Sequence, residues 1–297
     1  MHNRARYLIF FQYIGKKYSG VVSVARHQPG KTGVQDHLEE ALQRLKPLSP
    51  VSLLVSSRTD AGVHALSNSA HFDLQRRNNM PPFTEYTLVE ALNSHLSTEQ
   101  IRVTRAHRVP SDFHARFRAR SRTYLYRIAL GVSNYNHLPL TECDLCWGLR
   151  NKVLDVGAMR DAASLLAGTH DFSSFAANSH EEVYKSPVKT MAVVSIQTGN
   201  SFAHSYFHRE MPLLELTFRS QSFLYKQVRR MTGALVAVGQ GRMSLSQLAD
   251  ILEARDTRAY PQNILAPTRG LFLTSVDYKE SDLQFSDQLT STENAKG

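Results

Sequence analysis

Apolar positions along the chain switch between a period of two and a helical period, and they do so twice in the same order. Tyr7 to Tyr13 is rich in β-formers and predicts a strand. Val34, Leu38, Leu42 and Leu45 follow at spacings of four, four and three, which puts them on one face of a helix; Thr32 and Gln35 supply a capping-box pattern ahead of it. Val51 to Ser57 reads as a strand and Asn68 to Leu74 as its antiparallel partner, Pro81-Pro82 breaks the chain, and Thr87 to Leu96 (helix) and Ile101 to Val109 (strand) complete the set. The order β-α-β-β-α-β is that of a ferredoxin-like split βαβ unit.

The second half repeats the order without repeating the sequence. Thr123 to Leu130 predicts a strand, Lys152 to Ala167 a helix, Lys189 to Thr198 and Leu213 to Ser220 two strands, Ser222 to Val238 a helix, and Leu271 to Asp277 a last strand. One additional helix, Leu245 to Ala254, carries Ser244 and Gln247 as its capping box. Asn134 to Asn151 and Ala176 to Pro187 read as loops. The expected architecture is therefore α+β, with one ferredoxin-like half over residues 1–115, a second over 116–280, and a disordered acidic tail over 281–297. Strands are available to pair across the halves, and ligand sites favour such junctions.

Composition narrows the class of partner. A chain of 297 residues, 42% hydrophobic, is long enough for substantial cores, and no stretch of about eighteen apolar residues offers a membrane span. Two cysteines point to a reducing compartment. Met1 to Arg6 is basic, but the strand pattern starting at Tyr7 leaves little room for a cleavable presequence. The net charge is +9; the last eighteen residues, with four acids and one lysine, contribute −3, so the body carries 9 − (−3) = +12. A basic body with clustered charge is expected to bind a polyanion. Residues 101–130 hold eight arginines against Asp112 alone. From Arg116 the even positions run Arg116, Arg118, Arg120, Arg122, Tyr124, Tyr126. An extended segment would align these guanidinium groups and rings on one face, suited to phosphates and bases of looped or single-stranded RNA.

Candidate chemistry concentrates in Ser57-Arg58-Thr59-Asp60-Ala61-Gly62-Val63-His64-Ala65, where the chain turns from one predicted strand to the next. The plain alternative is a turn in which Asp60 bonds the backbone ahead of it and Gly62 takes a positive φ. His64 reads as a structural partner of this loop. In the helix near 222–238, Leu224, Val228, Met231, Leu235 and Val238 form the apolar stripe, while Lys226, Arg229 and Arg230 lie off it. Cys143-Asp144-Leu145-Cys146 has metal-ligand spacing but no second pair to complete four ligands. His204 and His208, four apart, fall in an expected loop.

These stretches together resemble the TruA-type tRNA pseudouridine synthases. The signature is Arg58-Thr59-Asp60-Ala61-Gly62-Val63-His64, followed in order by Asp112-Phe113-His114-Ala115-Arg116-Phe117, Arg122-Thr123-Tyr124-Leu125-Tyr126, Gly168 to Ser173, Phe223 through Val228-Arg229-Arg230-Met231, and Ala266-Pro267 with Gly270-Leu271. The resemblance is nearest to the animal branch, and the bacterial Gly-Trp-Gln is replaced by Gly20-Val21-Val22-Ser23. It implies a continuous mainly antiparallel sheet shared by the two halves, an RNA cleft between them, and conversion of uridine to pseudouridine without a cofactor. By position it implies Asp60 as the catalytic carboxylate, acting as nucleophile or as base for the 2′ proton, and Tyr124 as the ring stacked on uracil. Arg229 would pair with the aspartate and Arg58 would help open the RNA. It implies tRNA as substrate and a mitochondrial location, with cytoplasm or nucleus as alternatives; whether messenger RNA is also a target and whether the chain forms a homodimer stay open. The competing class is an RNA-binding chaperone or ribosome-associated factor of the same fold; intact Asp60, Tyr124 and Arg229 favour the enzyme.

Overall fold

Strand β1 (Arg4–Tyr13) is buried almost throughout from Tyr7 to Phe11, because both of its faces are covered. The computed structural model describes residues 4–23, 30–177, 186–201 and 211–285. After β1 come α1 (Val34–Arg44), β2 (Leu54–Val55), β3 (His64–Gln75), α2 (Glu85–His95) and β4 (Ile101–Val109). The second series is β5 (Ser121–Ala129), β6 (Trp147–Gly148), α3 (Val156–Leu166), β7 (Gly168–Asp171), β8 (Val188–Gly199), β9 (Leu213–Ser220), α4 (Gln227–Gly239), α5 (Leu245–Ala254), β10 (Leu271–Asp277) and α6 (Glu280–Leu283).

The main path of the sheet runs β4-β1-β3-β10-β5-β9-β8-β7. Both β4-β1-β3 and β10-β5-β9-β8 follow the split βαβ permutation, with β2 completing the first on the flank of β3. The sheet is continuous and mainly antiparallel, as the resemblance implied. Its two series meet where β10 lies parallel to the start of β3, with Phe272 opposite His64 and Leu273 opposite Ala65. Farther along the same edge of β3, Leu54 and Val55 pair with His71 and Ala70. The expected strand at 51–57 shrinks to two residues for a local reason: the backbone of Leu53 is taken by α1, Gln35 Nε2 donating to its carbonyl and Glu39 Oε1 accepting from its N–H. The short β2 leaves the edge of β3 open for β10.

One core spans the join. Tyr7, Ile9, Phe11 and Tyr13 from β1, Leu38 and Leu42 from α1, Leu88 and Leu92 from α2, and Tyr126, Met159, Met231 and Leu235 from the second series belong to one buried cluster. The alternate positions of β1, Leu8 and Phe10, pack on the opposite face with Val109, Phe113 and Ala115.

Several boundaries differ from the sequence pattern. The N-cap of α1 is Gly33, whose N–H donates to Asp36 Oδ2 at 2.7 Å, while Thr32 Oγ1 faces His37 Nε2 at 3.1 Å; the Thr32–Gln35 box is not formed. α3 starts at Val156, because Asp155 caps the N–H of Ala158. α4 starts at Gln227 instead of Ser222: Lys226 takes a left-handed conformation (φ 59°), and Gln227 Oε1 reaches back to accept from the Leu224 N–H. Residues 222–226 are thereby released into a loop. Arg116 to Arg120 are not extended, since Arg118 N–H turns back onto the His114 carbonyl and β5 begins only at Ser121. β6 and β7 are strands that the pattern missed. The expected tail includes the short α6 at 280–283, and residues 286–297 lie outside the described residues, as do His204 and His208.

Candidate active site

The loop between β2 and β3 is fixed before any ligand is considered. Asp60 O accepts from Val63 N at 3.1 Å, closing a tight turn, and Gly62 sits at φ +78°, a conformation that side-chain-bearing residues rarely adopt. Thr59 is buried and its Oγ1 lies 2.7 Å from Tyr13 Oη, which also receives a hydrogen bond from Asn68 Nδ2. Burial pushes the Tyr13 phenol up to about 12, so it stays protonated. These bonds hold the backbone on either side of Asp60.

His64 anchors the far end of the loop. Its Nδ1 accepts from the Gly15 N–H at 3.0 Å, so Nε2 carries the proton and faces the carbonyls of Asp144 (3.0 Å) and Arg269 (3.2 Å). Burial holds the imidazole below its usual pKa, and the ring stacks on Phe272 of β10 with centroids 4.7 Å apart. A neutral histidine locked between three chain segments is a structural partner, as its sequence context suggested. Gly15 is required here, because a Cβ would stand 1.9 Å from the Val63 carbonyl oxygen.

With both ends pinned, the Asp60 carboxylate points across the junction to α4. Its Oδ2 accepts from Arg229 Nη1 at 3.4 Å, and this side-chain bond replaces the local backbone bond of an ordinary Asp turn. Arg229 is aimed by a second bond, Nε to the Ala266 carbonyl at 2.8 Å. Burial raises the Asp60 pKa, opposed by the nearby Arg229 and, less strongly, Lys226; the net direction is upward. The arginine thus offsets the desolvation without overcoming it. A carboxyl raised on folding binds more protons than in the unfolded chain. Its contribution to stability therefore falls as pH rises from the ordinary carboxylate range through the raised value.

Asp60 lies in a cleft of about 770 Å³. Its lining is drawn from Ser56 to Asp60, from Arg116 and Phe117, from Arg122 and Tyr124 of β5, and from residues 221–229. Tyr124, on β5, is buried with its ring edge-to-face on Phe223 (centroids 5.1 Å, 88°). Burial raises its phenol pKa, which keeps it protonated and disfavours a proton-acceptor role; what it offers is a ring and a hydrogen-bond donor. Arg58 is exposed on the same cleft. The four expected site residues, Asp60, Tyr124, Arg229 and Arg58, are thus brought together. Six basic side chains line the cleft, against Asp60 as the single acid among the described residues, so the cavity suits a polyanion.

The arginine-dense stretch behaves differently from its sequence pattern. Arg122 is buried and gives its N–H groups to Ser57 Oγ and to the carbonyls of Ser56, Arg116 and Gln221, bolting the Asp60 loop to β5. Arg102 bonds carbonyls at the end of α2, Arg105 covers the Phe10 ring, and Arg127 pairs with Glu142 and Glu215. Arg230, off the apolar stripe of α4, bonds the carbonyls of Ser174 and Ala176. Lys189, Lys226 and Phe223 also line the cleft: the sequence pattern sets Lys226 off the apolar stripe and Phe223 in the signature without a role for either, and Lys189 is there only the first residue of an expected strand. The Cys146 thiol is buried and donates to the Glu142 carbonyl, and burial pushes it up to about 12.

Comparison with known proteins shows the family. A family profile described as tRNA pseudouridine synthase matches residues 9–118 and 162–279. The chain is 51% identical over 277 residues to tRNA pseudouridine synthase-like 1 of Homo sapiens, covering 93% of this chain and 90% of that one. It is 47% identical over 285 residues to the Xenopus laevis protein of the same name, covering 95% of each. Against tRNA pseudouridine synthase A of Caulobacter sp. (strain K31) the identity is 36% over 274 residues, covering 92% of this chain and 98% of that one.

Proposed function

The chain belongs to the tRNA pseudouridine synthase family and is an isomerase that converts uridine to pseudouridine in tRNA, and on that premise we propose that Asp60 carries the chemistry in the basic cleft. The observation that carries the assignment is the Asp60 carboxylate, held on Arg229 and sharing its cleft with Tyr124. In the reaction the N1–C1′ bond breaks, the uracil turns, and C5 bonds to C1′; C5 loses its proton and N1 gains one. A carboxylate supplies either an attack on C1′ or removal of the 2′ proton. Arg229 keeps a population of Asp60 ionised against its burial. The Tyr124 ring holds the detached base, and its protonated hydroxyl faces an anion. Arg58, exposed on the same cleft, is the cation that enters the RNA as the target base leaves its stack.

The assay is direct. Unmodified tRNA incubated with the protein and mapped for pseudouridine gains the modification at defined positions; tRNA that is bound and never modified would return the reading to an RNA-binding factor. Mitochondrial residence, which the family resemblance supports, belongs to the same proposal, with messenger RNA as a second substrate and a homodimer as its further parts. Transcript-wide mapping, light scattering and imaging of the untagged protein test them.

Two further outcomes follow from the lining. RNA affinity falls steeply between low and moderate salt, since Arg58, Arg116, Lys189 and Lys226 on the cleft lining release counterions from the backbone they neutralise; a flat salt titration contradicts this. Tyr124→Phe keeps the ring and leaves RNA affinity within about 1 kcal/mol, the scale of one neutral hydrogen bond, while turnover drops. Tyr124→Ala also weakens binding, by about 1–3 kcal/mol for the lost stacking. Equal affinity and turnover for all three proteins would remove Tyr124 from the site.

A further inference from the structure

Phe117 is 75% exposed, an unusual position for a phenylalanine, and it sits on the rim of the cleft that holds Asp60. An exposed ring on a loose loop means little. The segment beneath this one is fastened on every side. Ala115 N–H donates to His71 Nδ1 at 3.1 Å, the Ala115 carbonyl accepts from Tyr278 Oη at 2.7 Å, and the Arg116 carbonyl accepts from the buried Arg122 at 3.1 Å. Arg116 N–H donates to His114 Nδ1 at 3.2 Å, and Arg118 N–H closes the turn onto the His114 carbonyl at 2.9 Å.

The ring itself is also placed. The His114 imidazole lies against Phe117 with centroids 4.3 Å apart and 37° between planes, and His114 is backed in turn by His71 at 4.6 Å. Nδ1 of His114 is used as an acceptor, so the imidazole is neutral; burial and the nearby Arg116 hold its pKa below the usual value. The Arg116 guanidinium stands 5.7 Å from the Phe117 centroid. A rigidly mounted, solvent-facing ring next to a guanidinium group, at the mouth of a basic cleft, combines the two contacts that unpaired RNA takes: a flat apolar face for a base and a cation for the adjoining phosphate.

We propose that Phe117, set by His114 and Arg116, is a stacking platform for an unpaired nucleobase flanking the target uridine. The inference rests on the cleft being the RNA site. Tyr124 lies inside the cleft and Phe117 on its rim, so the two rings take different nucleotides. The platform holds the neighbour while the target is drawn from the stack, and it accepts any base, because every base has a π face.

The test reads binding alone. Fluorescence anisotropy compares wild type, Phe117→Ala and Phe117→Trp on a labelled decauridylate and on a decamer of abasic ribose phosphates, with thermal melting to confirm that each variant is folded. On decauridylate, Phe117→Ala binds about 5- to 150-fold more weakly and Phe117→Trp binds at least as tightly as wild type. On the abasic strand the alanine variant matches wild type, since the phosphates still meet the arginines. Arg116→Gln loses affinity on both strands and lowers the salt slope by about one. Phe117→Ala within twofold of wild type on decauridylate, or an equal loss on both strands, would overturn the platform. Failure of the wild-type protein to form pseudouridine would count against the catalytic reading and leave this comparison standing.

Discussion

Asp60→Asn gives a folded protein that holds tRNA with wild-type affinity or slightly better and forms no measurable pseudouridine. The amide has the shape of the carboxylate but can neither attack C1′ nor take the 2′ proton, so turnover falls by at least about 10²–10⁴-fold, the contribution of a positioned base. The turn survives, because it is closed by the backbone bond from Val63 N to Asp60 O and by the positive φ of Gly62. Affinity does not suffer, because one negative charge near the phosphates has been removed. Pseudouridine mapping, anisotropy and thermal melting on the same preparation separate these effects. A folded Asp60→Asn protein that converts uridine at the wild-type rate would reduce Asp60 to a turn residue. The pH profile adds a second check. The reactive form is ionised and burial raises the Asp60 pKa, so wild-type activity declines on acidification at a pH above the ordinary carboxylate range.

Arg229→Met moves that acid limb to higher pH and lowers turnover at neutral pH by roughly 10- to 150-fold. The magnitude corresponds to about 1.5–3 kcal/mol for a lost hydrogen bond to a charged group. The direction follows from the opposing causes at Asp60: burial favours the neutral acid and Arg229 is the strongest influence against it, so removing Arg229 leaves burial less opposed. Activity lost in this variant is therefore partly regained as pH rises, whereas Asp60→Asn regains nothing. Arg229→Lys restores charge but not the fork that simultaneously bonds Ala266 O and Asp60 Oδ2, so its recovery is partial. A rate–pH profile of Arg229→Met that superimposes on wild type would dissociate Arg229 from the carboxylate.

How much of this was legible without coordinates depends on the range of the interactions. The strand run Ile101 to Val109 and the capping pattern Ser244–Gln247 named their elements within a residue, because the forces that set them act within one turn or one strand. The helix expected from Ser222 began five residues late, because nothing in an apolar stripe marks a left-handed Lys226 or a Gln227 that reaches back to Leu224. The even-numbered face from Arg116 failed in the same way. A period of two predicts a shared face only where the backbone is extended, and a turn at His114 interrupts it.

The sequence by itself determined the α+β class, the repeated strand and helix order, the basic character of the body and the turn that presents Asp60, all of which follow from local periodicity, charge and glycine stereochemistry. Only the tertiary structure decided which charges are free to meet a ligand. Arg122 and Asp60 are equally conspicuous in sequence, yet Arg122 is consumed by four protein acceptors, while Asp60 reaches across the β3–β10 join to Arg229, 169 residues away. Desolvation and pairing depend on atoms that chain order does not place side by side, and at Asp60 their balance sets the direction of the pKa.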